Sequence, residues 1–176
     1  MTGTKSPSPL PTRAAPPLIV ETVKGGQWSV ADRHPARFTM IVFYRGVHCP
    51  VCRTYLGELE RLLPEFASRG VEVIAVSGDD KQRATRTQSE WKLPTLTVGY
   101  GQSIQSMRDW GLYISKGISE SEPALFGEPG LFLVRPDGTI YYIGVNSMPF
   151  GRPSLSEMLK TIDFIIAKNY PPRGES

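Results

Sequence analysis

The feature that most constrains the fold is a short apolar run that leads into two closely spaced cysteines. Residues 38–44 (FTMIVFY) are rich in β-forming side chains, which is typical of a strand covered on both faces. Four residues separate this run from Cys49, and Cys52 follows three positions later. Apolar side chains then recur at three- and four-residue spacing as far as Phe66, which indicates an amphipathic helix. The segment predicts a strand, a turn and a helix that begins at the cysteines.

Strands and helices alternate along the rest of the chain. Further strands are predicted at residues 71–76, 96–98, 131–134 and 140–145, helices at 81–91, 104–110 and 155–166, and a small hairpin at 18–30. The alternation favours parallel strands with helices on both faces of the sheet. The turn signal Asp137-Gly138 adds an antiparallel hairpin. We therefore predict an α/β three-layer fold with a central mixed β-sheet flanked by helices.

Length and composition predict one globular domain. The chain has 176 residues, of which 40% are hydrophobic and 21% charged, with a formal net charge of +3. This charge is too small and too dispersed to indicate binding to nucleic acid, and no apolar run reaches the roughly 18 residues of a membrane span. We predict a flexible Pro/Ser-rich arm over residues 1–17, a domain over 18–170 and a tail over 171–176. No secretory signal is recognisable, so a cytoplasmic location is expected.

The local pattern predicts a reactive thiol at Cys49. This residue falls at the position of a helix N-cap, and Pro50 suits the first helical position. A sulfur there meets the unpaired N–H groups and the positive end of the helix dipole. Positive charge from Arg45, Arg53 and His48 would lower the thiol pKa further. We expect Cys49 to be an exposed nucleophile at neutral pH.

Cys52 lies one helical turn further along, on the apolar stripe, so we expect it to be shielded and less acidic. An exposed attacking thiol and a sheltered resolving thiol together form a dithiol/disulfide exchange centre. Two other interpretations remain. Zinc would need further ligands, but His34 and His48 are the only histidines and no second cysteine pair exists. The cysteines could also be two structural core residues. A redox pair is favoured because the motif follows a β-strand.

The strand–CxxC–helix segment resembles the thioredoxin superfamily. The strings FYRGVHCPVC (43–52) and GEPGLFLVRPDGTIYY (127–142) resemble its AhpC/TSA (peroxiredoxin-like) branch, and within it the CxxC-containing peroxiredoxin-like subgroup. The similarity covers about residues 18–168. It implies a thioredoxin-like fold, and it matches Pro129 with the cis-proline that precedes a core strand and lies against the active thiol.

The chain departs from that family at several positions. Typical members carry Pro and Thr or Ser seven and three residues before the reactive cysteine, where this chain has Val42 and Gly46. The family's catalytic arginine has no clear match, so Arg45 or Arg152 would have to substitute, unless both are solvated surface charges. His48 stands where thioredoxins usually have Trp, and it would either tune Cys49 or cap exposed backbone.

The resemblance and the residues together predict a thiol–disulfide oxidoreductase that uses Cys49 and Cys52, with Arg45, Gly46, His48, Pro50 and Pro129 supporting the site. The alternative is a thiol-dependent peroxidase, in which Cys52 resolves a Cys49 sulfenic acid. A non-catalytic redox sensor is the third hypothesis. Expected partners are a peroxide or disulfide substrate and an external thiol reductant of the thioredoxin or glutathione type. Neither cofactor nor metal is expected, and a homodimer is left open.

Overall fold

The structure, a computed structural model, describes residues 8–176. Its strands are β1 (Ile19–Thr22), β2 (Gln27–Ser29), β3 (Phe38–Phe43), β4 (Val71–Val76), β5 (Thr97–Tyr100), β6 (Ile114–Lys116), β7 (Leu125–Gly127), β8 (Gly130–Val134) and β9 (Ile140–Val145). Its helices are α1 (Pro50–Ser68), α2 (Lys81–Glu90), α3 (Ile104–Asp109) and α4 (Leu155–Lys168). All the strands and helices predicted from the sequence are present, with bounds that differ by a few residues.

Seven strands form one mixed sheet in the order β2-β1-β5-β4-β3-β8-β9. Strands β3, β4 and β5 are parallel, as their helical crossovers require, while β1, β2, β8 and β9 pair antiparallel with their neighbours. The predicted three-layer α/β fold is confirmed. A second small sheet, β6–β7, was not predicted, because its three-residue strands are too short to show an alternating pattern.

Strand β3 lies near the middle of the sheet and is buried on both faces. Met40 and Val42 face the layer that contains α1 and both cysteines, whereas Ile41 and Phe43 face the layer that contains Trp110. The carboxyl end of this strand is thereby fixed, and the chain that leaves it leads into α1. Within residues 8–176, no helix is both long and apolar enough to cross a bilayer.

Part of the predicted N-terminal arm is held against the sheet. The N–H groups of Thr12 and Ala15 donate to the carbonyls of Ile140 and Gly138, and the N–H of Ile140 donates to the Arg13 carbonyl. Residues 12–15 therefore lie against the start of β9, where Ala14 forms a single antiparallel bridge with Thr139. Residues 1–7 lie outside the described residues, and the boundaries proposed for the arm and the C-terminal tail remain predictions.

Candidate active site

Cys49 occupies the N-cap of α1, as the sequence predicts. Its backbone is extended (φ −99°, ψ 106°), and its Sγ accepts a hydrogen bond from the Cys52 N–H at 3.1 Å. Pro50 is the first helical residue, where it sacrifices no hydrogen bond. The turn before the helix is closed by the Cys49 N–H, which donates to the Gly46 carbonyl at 3.1 Å. The cysteine sulfur thus takes the place of a capping oxygen at the positive end of the helix.

Both cysteines are fully buried, each with 0% of its surface exposed, and both are free thiols. The expectation that Cys49 is exposed is wrong. The reason is tertiary, since Cys49 packs in the core cluster between the sheet, α1 and α4, and a local reading of the helix start does not include those partners. The predicted burial of Cys52 is confirmed.

The two thiols differ in acidity in the predicted direction. The pKa of Cys49 lies below its ordinary value, chiefly because the Cys52 thiol donates a hydrogen bond to its sulfur. Burial opposes this shift, whereas the Cys52 backbone N–H and the charges of Arg152 and Arg45 support it. The pKa of Cys52 is raised strongly, because burial disfavours its thiolate and because its proton is held by Cys49. Of the two sulfurs, Cys49 is therefore the one that ionises more readily.

Arg45 lies beside Cys49 and is fixed by a buried acid. Its Nε is 3.1 Å from Oε2 of Glu128, an ion pair without hydrogen-bond alignment, and its guanidinium lies 4.7 Å from the Phe126 ring centroid. Glu128 is 3% exposed and also accepts a 2.6 Å hydrogen bond from the Ser115 hydroxyl. Sequence reasoning missed Glu128, although it directly precedes Pro129 in one of the strings that carry the family resemblance.

Arg152 reaches the other sulfur of the pair. It lies in the loop between β9 and α4, and its Nη2 donates to Cys52 Sγ at 2.7 Å. The guanidinium stacks over the Tyr55 ring at 4.9 Å, and the Tyr55 hydroxyl donates to the Pro153 carbonyl at 2.7 Å. The Asn146 side-chain amide donates to the Gly151 carbonyl at 2.9 Å. These contacts hold the loop so that Arg152 faces the dithiol, and it is not a solvated surface charge.

Gly46 is required by a close approach that the sequence does not show. Its φ is +140°, and a Cβ added there would lie 2.8 Å from Oδ1 of Asp79. Asp79 is 1% exposed, accepts the Val47 N–H at 2.8 Å and pairs with Nε of Arg83 at 3.0 Å. Asp79 was not among the residues predicted for the site. Its role in shaping the turn before Cys49 depends on a contact across the sheet.

His48 and Arg53 do not supply the positive charge expected of them. His48 packs on Phe126 with ring centroids 4.8 Å apart, and burial lowers its pKa, so the ring is neutral at neutral pH. Its Nδ1 lies 3.4 Å from Nη2 of Arg83. Arg53 is exposed on α1 and donates to the Glu90 carbonyl at 3.3 Å. The charge near the sulfurs comes from Arg45 and Arg152 instead.

Pro129 is buried directly before β8, as expected, but its peptide bond is not cis. No cis peptide bond occurs within residues 8–176. The chain stays extended from β7 to β8, because the Glu128 N–H donates to the Tyr113 carbonyl and the Pro129 carbonyl accepts the Asn146 N–H. A trans bond fits this continuous run, so the cis assignment implied by the resemblance is wrong.

A groove of about 640 Å³ lies next to the dithiol. Its walls are the first turns of α1 and residues 149–154, and Tyr55 and Arg152 line it, whereas the two cysteines lie behind its wall. Phe150, at its rim, is 60% exposed. Among the described residues, no three His, Cys, Asp or Glu side chains are grouped as metal ligands would be.

Comparison with known protein families identifies the family to which this arrangement belongs. The profile of the AhpC/TSA family matches residues 11–143, which include the dithiol, Arg45 and Glu128. The chain belongs to the AhpC/TSA family. Arg152 lies beyond the matched residues, so the groups around the two sulfurs come partly from the family segment and partly from the C-terminal part of the chain.

Individual relatives are distant. The chain is 30% identical over 131 residues to alkyl hydroperoxide reductase C of Helicobacter pylori, an alignment that covers 71% of this chain and 61% of that protein. It is 29% identical over 149 residues to peroxiredoxin 2 of Sulfuracidifex metallicus, covering 82% of this chain and again 61% of the relative. The matched region therefore spans less than two thirds of both relatives.

Solved structures confirm the thioredoxin-like fold. A peroxiredoxin-like protein from Aquifex aeolicus superposes with a TM-score of 0.73 at 18% identity, covering 92% of this chain and 90% of that one. The reduced 2-Cys peroxiredoxin of Plasmodium vivax superposes with a TM-score of 0.74 at 20% identity, covering 93% and 84%.

Proposed function

We propose that this protein is a thiol-dependent peroxidase in which Cys49 is the peroxide-reducing thiol and Cys52 the resolving thiol. The observation that carries the proposal is the Cys49 sulfur at the N-cap of α1, with a lowered pKa and two arginines beside the pair. Membership of the AhpC/TSA family supports peroxide as the oxidant. This reverses the order of the two enzyme hypotheses that the sequence alone favours.

The burial of the pair supports a small oxidant. A disulfide substrate must bring a sulfur with two substituents into line with the attacking thiolate, whereas hydrogen peroxide is little larger than water. Since Cys49 has 0% of its surface exposed, a peroxide needs far less opening of the site than a glutathione-type disulfide does. Disulfide exchange remains the second candidate, supported by the one-turn spacing of the two thiols.

The proposed cycle has three balanced steps. The Cys49 thiolate attacks the OH oxygen of the peroxide and the O–O bond breaks, which gives the Cys49 sulfenic acid and an alkoxide or hydroxide. That anion takes up the proton that the Cys49 thiol released on ionising and leaves as an alcohol or water. Cys52 then attacks the Cys49 sulfur, forming the disulfide and releasing water. An external thiol reductant, of the thioredoxin or glutathione type, restores both thiols and is itself oxidised to a disulfide.

Peroxide reduction should be slower than in a family member with the usual hydroxyl. Gly46 occupies the position of the Thr or Ser that holds the peroxide, and it has no side chain. Removal of one preorganised donor commonly lowers the rate by roughly 10²–10³-fold. Arg45 and Arg152 supply positive charge near the same sulfur.

Stopped-flow oxidation of the reduced protein tests the proposal. Hydrogen peroxide, an organic hydroperoxide and glutathione disulfide are compared on one preparation, with Cys49→Ser and Cys52→Ser variants alongside. We expect peroxide to oxidise the wild type and Cys52→Ser but not Cys49→Ser, and the glutathione disulfide to react more slowly.

Faster reaction with the disulfide than with either peroxide would reverse the assignment in favour of an oxidoreductase. Stoichiometric oxidation without turnover, in the presence of several thiol reductants, would instead indicate a redox sensor.

A further inference from the structure

The two arginines of the site contact different sulfurs, although the charge of Arg152 also lowers the pKa of Cys49. Arg45 enters from the loop between β3 and α1, lies beside Cys49, and has its charge balanced by Glu128. Arg152 enters from the loop between β9 and α4, and its Nη2 donates to Cys52 Sγ. Among the described residues, no carboxylate forms an ion pair with Arg152. The cation next to the resolving thiol is therefore the one without a counter-charge.

Neighbouring side chains fix the position of the Arg152 guanidinium. The guanidinium lies over the Tyr55 ring, and the Tyr55 hydroxyl fixes the carbonyl of the next residue, Pro153. Its Nε and Nη1 are buried and have no hydrogen-bond partner in the described part of the chain. A buried cation without a counter-charge is unfavourable unless an anion forms beside it. The atom in direct contact that becomes anionic in a dithiol reaction is the Cys52 sulfur.

We propose that Arg152 is a catalytic residue of the resolving step, in which it stabilises the negative charge that develops on Cys52 as this sulfur attacks the oxidised Cys49. The reaction in its peroxide form rests on the proposed function. In that form the Cys52–H and Cys49–OH bonds break, the S–S bond forms, and the hydroxide that leaves Cys49 takes the Cys52 proton as water.

The resolving thiol needs such help more than Cys49 does. The nucleophile in disulfide chemistry is the thiolate, and burial strongly raises the pKa of Cys52. The helix N-terminus and the Cys52 N–H serve Cys49 rather than Cys52. The Arg152 guanidinium, 2.7 Å from the Cys52 sulfur, is the cation in direct contact with it. The charge of Arg45 is partly neutralised by Glu128 and acts first on the other sulfur.

Single-turnover oxidation by hydrogen peroxide at pH 8, followed by intact mass, separates the two steps. In Arg152→Met, disulfide formation should slow by roughly 10²-fold, the usual effect of losing one preorganised donor. Oxidation of Cys49 should change much less at this pH, where its thiolate is formed. The Cys49 sulfenic acid, one oxygen heavier than the thiol, should then accumulate and react with dimedone.

Two further variants make the result specific. Arg152→Lys retains the charge and should recover part of the resolving rate. Arg53→Met removes a positive charge from α1, the helix that bears Cys52, and Arg53 contacts the Glu90 carbonyl rather than a sulfur. Disulfide formation in this variant should therefore proceed at the wild-type rate. Unfolding midpoints of all variants show whether a slow step reflects damage to the fold.

A peroxide-free arm keeps this inference separate from the proposed function. Methyl methanethiosulfonate converts Cys49 to a methyl disulfide, and attack by Cys52 then releases methanethiol, seen as loss of the methylthio mass. Arg152→Met should slow this release by a similar factor. If the wild type ignores peroxide but the release still depends on Arg152, the proposed function fails and the inference stands. Equal release in wild type and Arg152→Met, or a slower first step without sulfenic acid accumulation, would overturn it.

Discussion

Replacement of Gly46 by Ser, which would restore the hydroxyl typical of the family, is expected to damage the fold without improving peroxide reduction. The added Cβ would lie 2.8 Å and 3.0 Å from the two carboxylate oxygens of Asp79. Those oxygens already bind the Val47 N–H and the Arg83 guanidinium. The Asp79 side chain is buried and cannot move into solvent without leaving these partners unpaired.

The cost of this substitution has two parts. Holding a non-glycine residue at φ +140° costs on the order of 1–3 kcal/mol. Displacing the carboxylate loses hydrogen bonds to a charged group, each worth about 1.5–3 kcal/mol. With one such bond lost, the two parts add to about 2.5–6 kcal/mol. With a urea dependence of roughly 2 kcal/mol per M, the unfolding midpoint should fall by roughly 2 M.

Urea denaturation with a matched glycine control separates the two parts. Gly138 also has a positive φ, +84°, but nothing lies within 4 Å of a Cβ added there. Gly138→Ala therefore carries the backbone strain alone and should lower the midpoint by roughly 0.5 M, from about 1 kcal/mol. In an Asp79→Ala background, the side chain introduced by Gly46→Ser meets no carboxylate. The additional loss of stability caused by Gly46→Ser should then approach the loss caused by Gly138→Ala.

Two results would refute this reasoning. One is a Gly46→Ser midpoint no lower than that of Gly138→Ala, which would mean that Asp79 yields without loss. The other is a Gly46→Ser protein that reduces hydrogen peroxide faster than the wild type in stopped flow. That result would show that the site accepts the hydroxyl and that the close approach of Asp79 does not exclude it.

Three further expectations concern titration. Cys52→Ser keeps a side-chain donor to the Cys49 sulfur, whereas Cys52→Ala removes it, so alkylation of Cys49 across pH should show a higher apparent pKa in the alanine variant. Coincident pH profiles of the two variants would contradict the hydrogen bond between the side chains at positions 52 and 49. Glu128→Gln removes the charge that balances Arg45, so the Cys49 pKa should fall further and alkylation of Cys49 should persist to lower pH. A pH profile of alkylation equal to that of the wild type would mean that the charge of Arg45 does not act on the Cys49 sulfur. Because burial lowers the pKa of His48, the folded state binds fewer protons than the unfolded state below about pH 6.5, and stability is lost as the pH falls. His48→Gln should lose less stability than the wild type between pH 7 and pH 5, and equal losses would count against this account.

The features that could be predicted from the sequence are the local ones. The N-cap position of Cys49 and the first helical residue Pro50 follow from adjacent residues, and the structure has both where they were predicted. The strands were predicted because their apolar runs are long enough to show a pattern. In contrast, β6 and β7 have three residues each, and they exist because they pair with each other rather than because of their own composition.

The features that could not be predicted depend on contacts between distant segments. Glu128 lies 83 positions after Arg45, and Arg152 lies 100 positions after Cys52. Whether an arginine meets a buried sulfur or faces solvent is decided by which loop reaches the end of β3. The burial of Cys49 has the same origin, since the residues that cover it include parts of the sheet and α4. A pattern confined to the first turn of α1 contains no information about these partners.

The position of Arg152 also bears on the reduction of the oxidised pair. In thiol–disulfide exchange a sulfur whose thiol has a lower pKa leaves faster, and burial makes Cys52 the poorer leaving group of the pair unless a charge beside it compensates. Cys49 is at the helix start, whereas Cys52 lies one turn further in with Arg152 against its sulfur. An external thiol that reaches Cys49 would expel Cys52 toward the guanidinium. The cation that assists Cys52 as the attacking group then also stabilises it as the leaving group, because forming and breaking this disulfide place charge on the same atom.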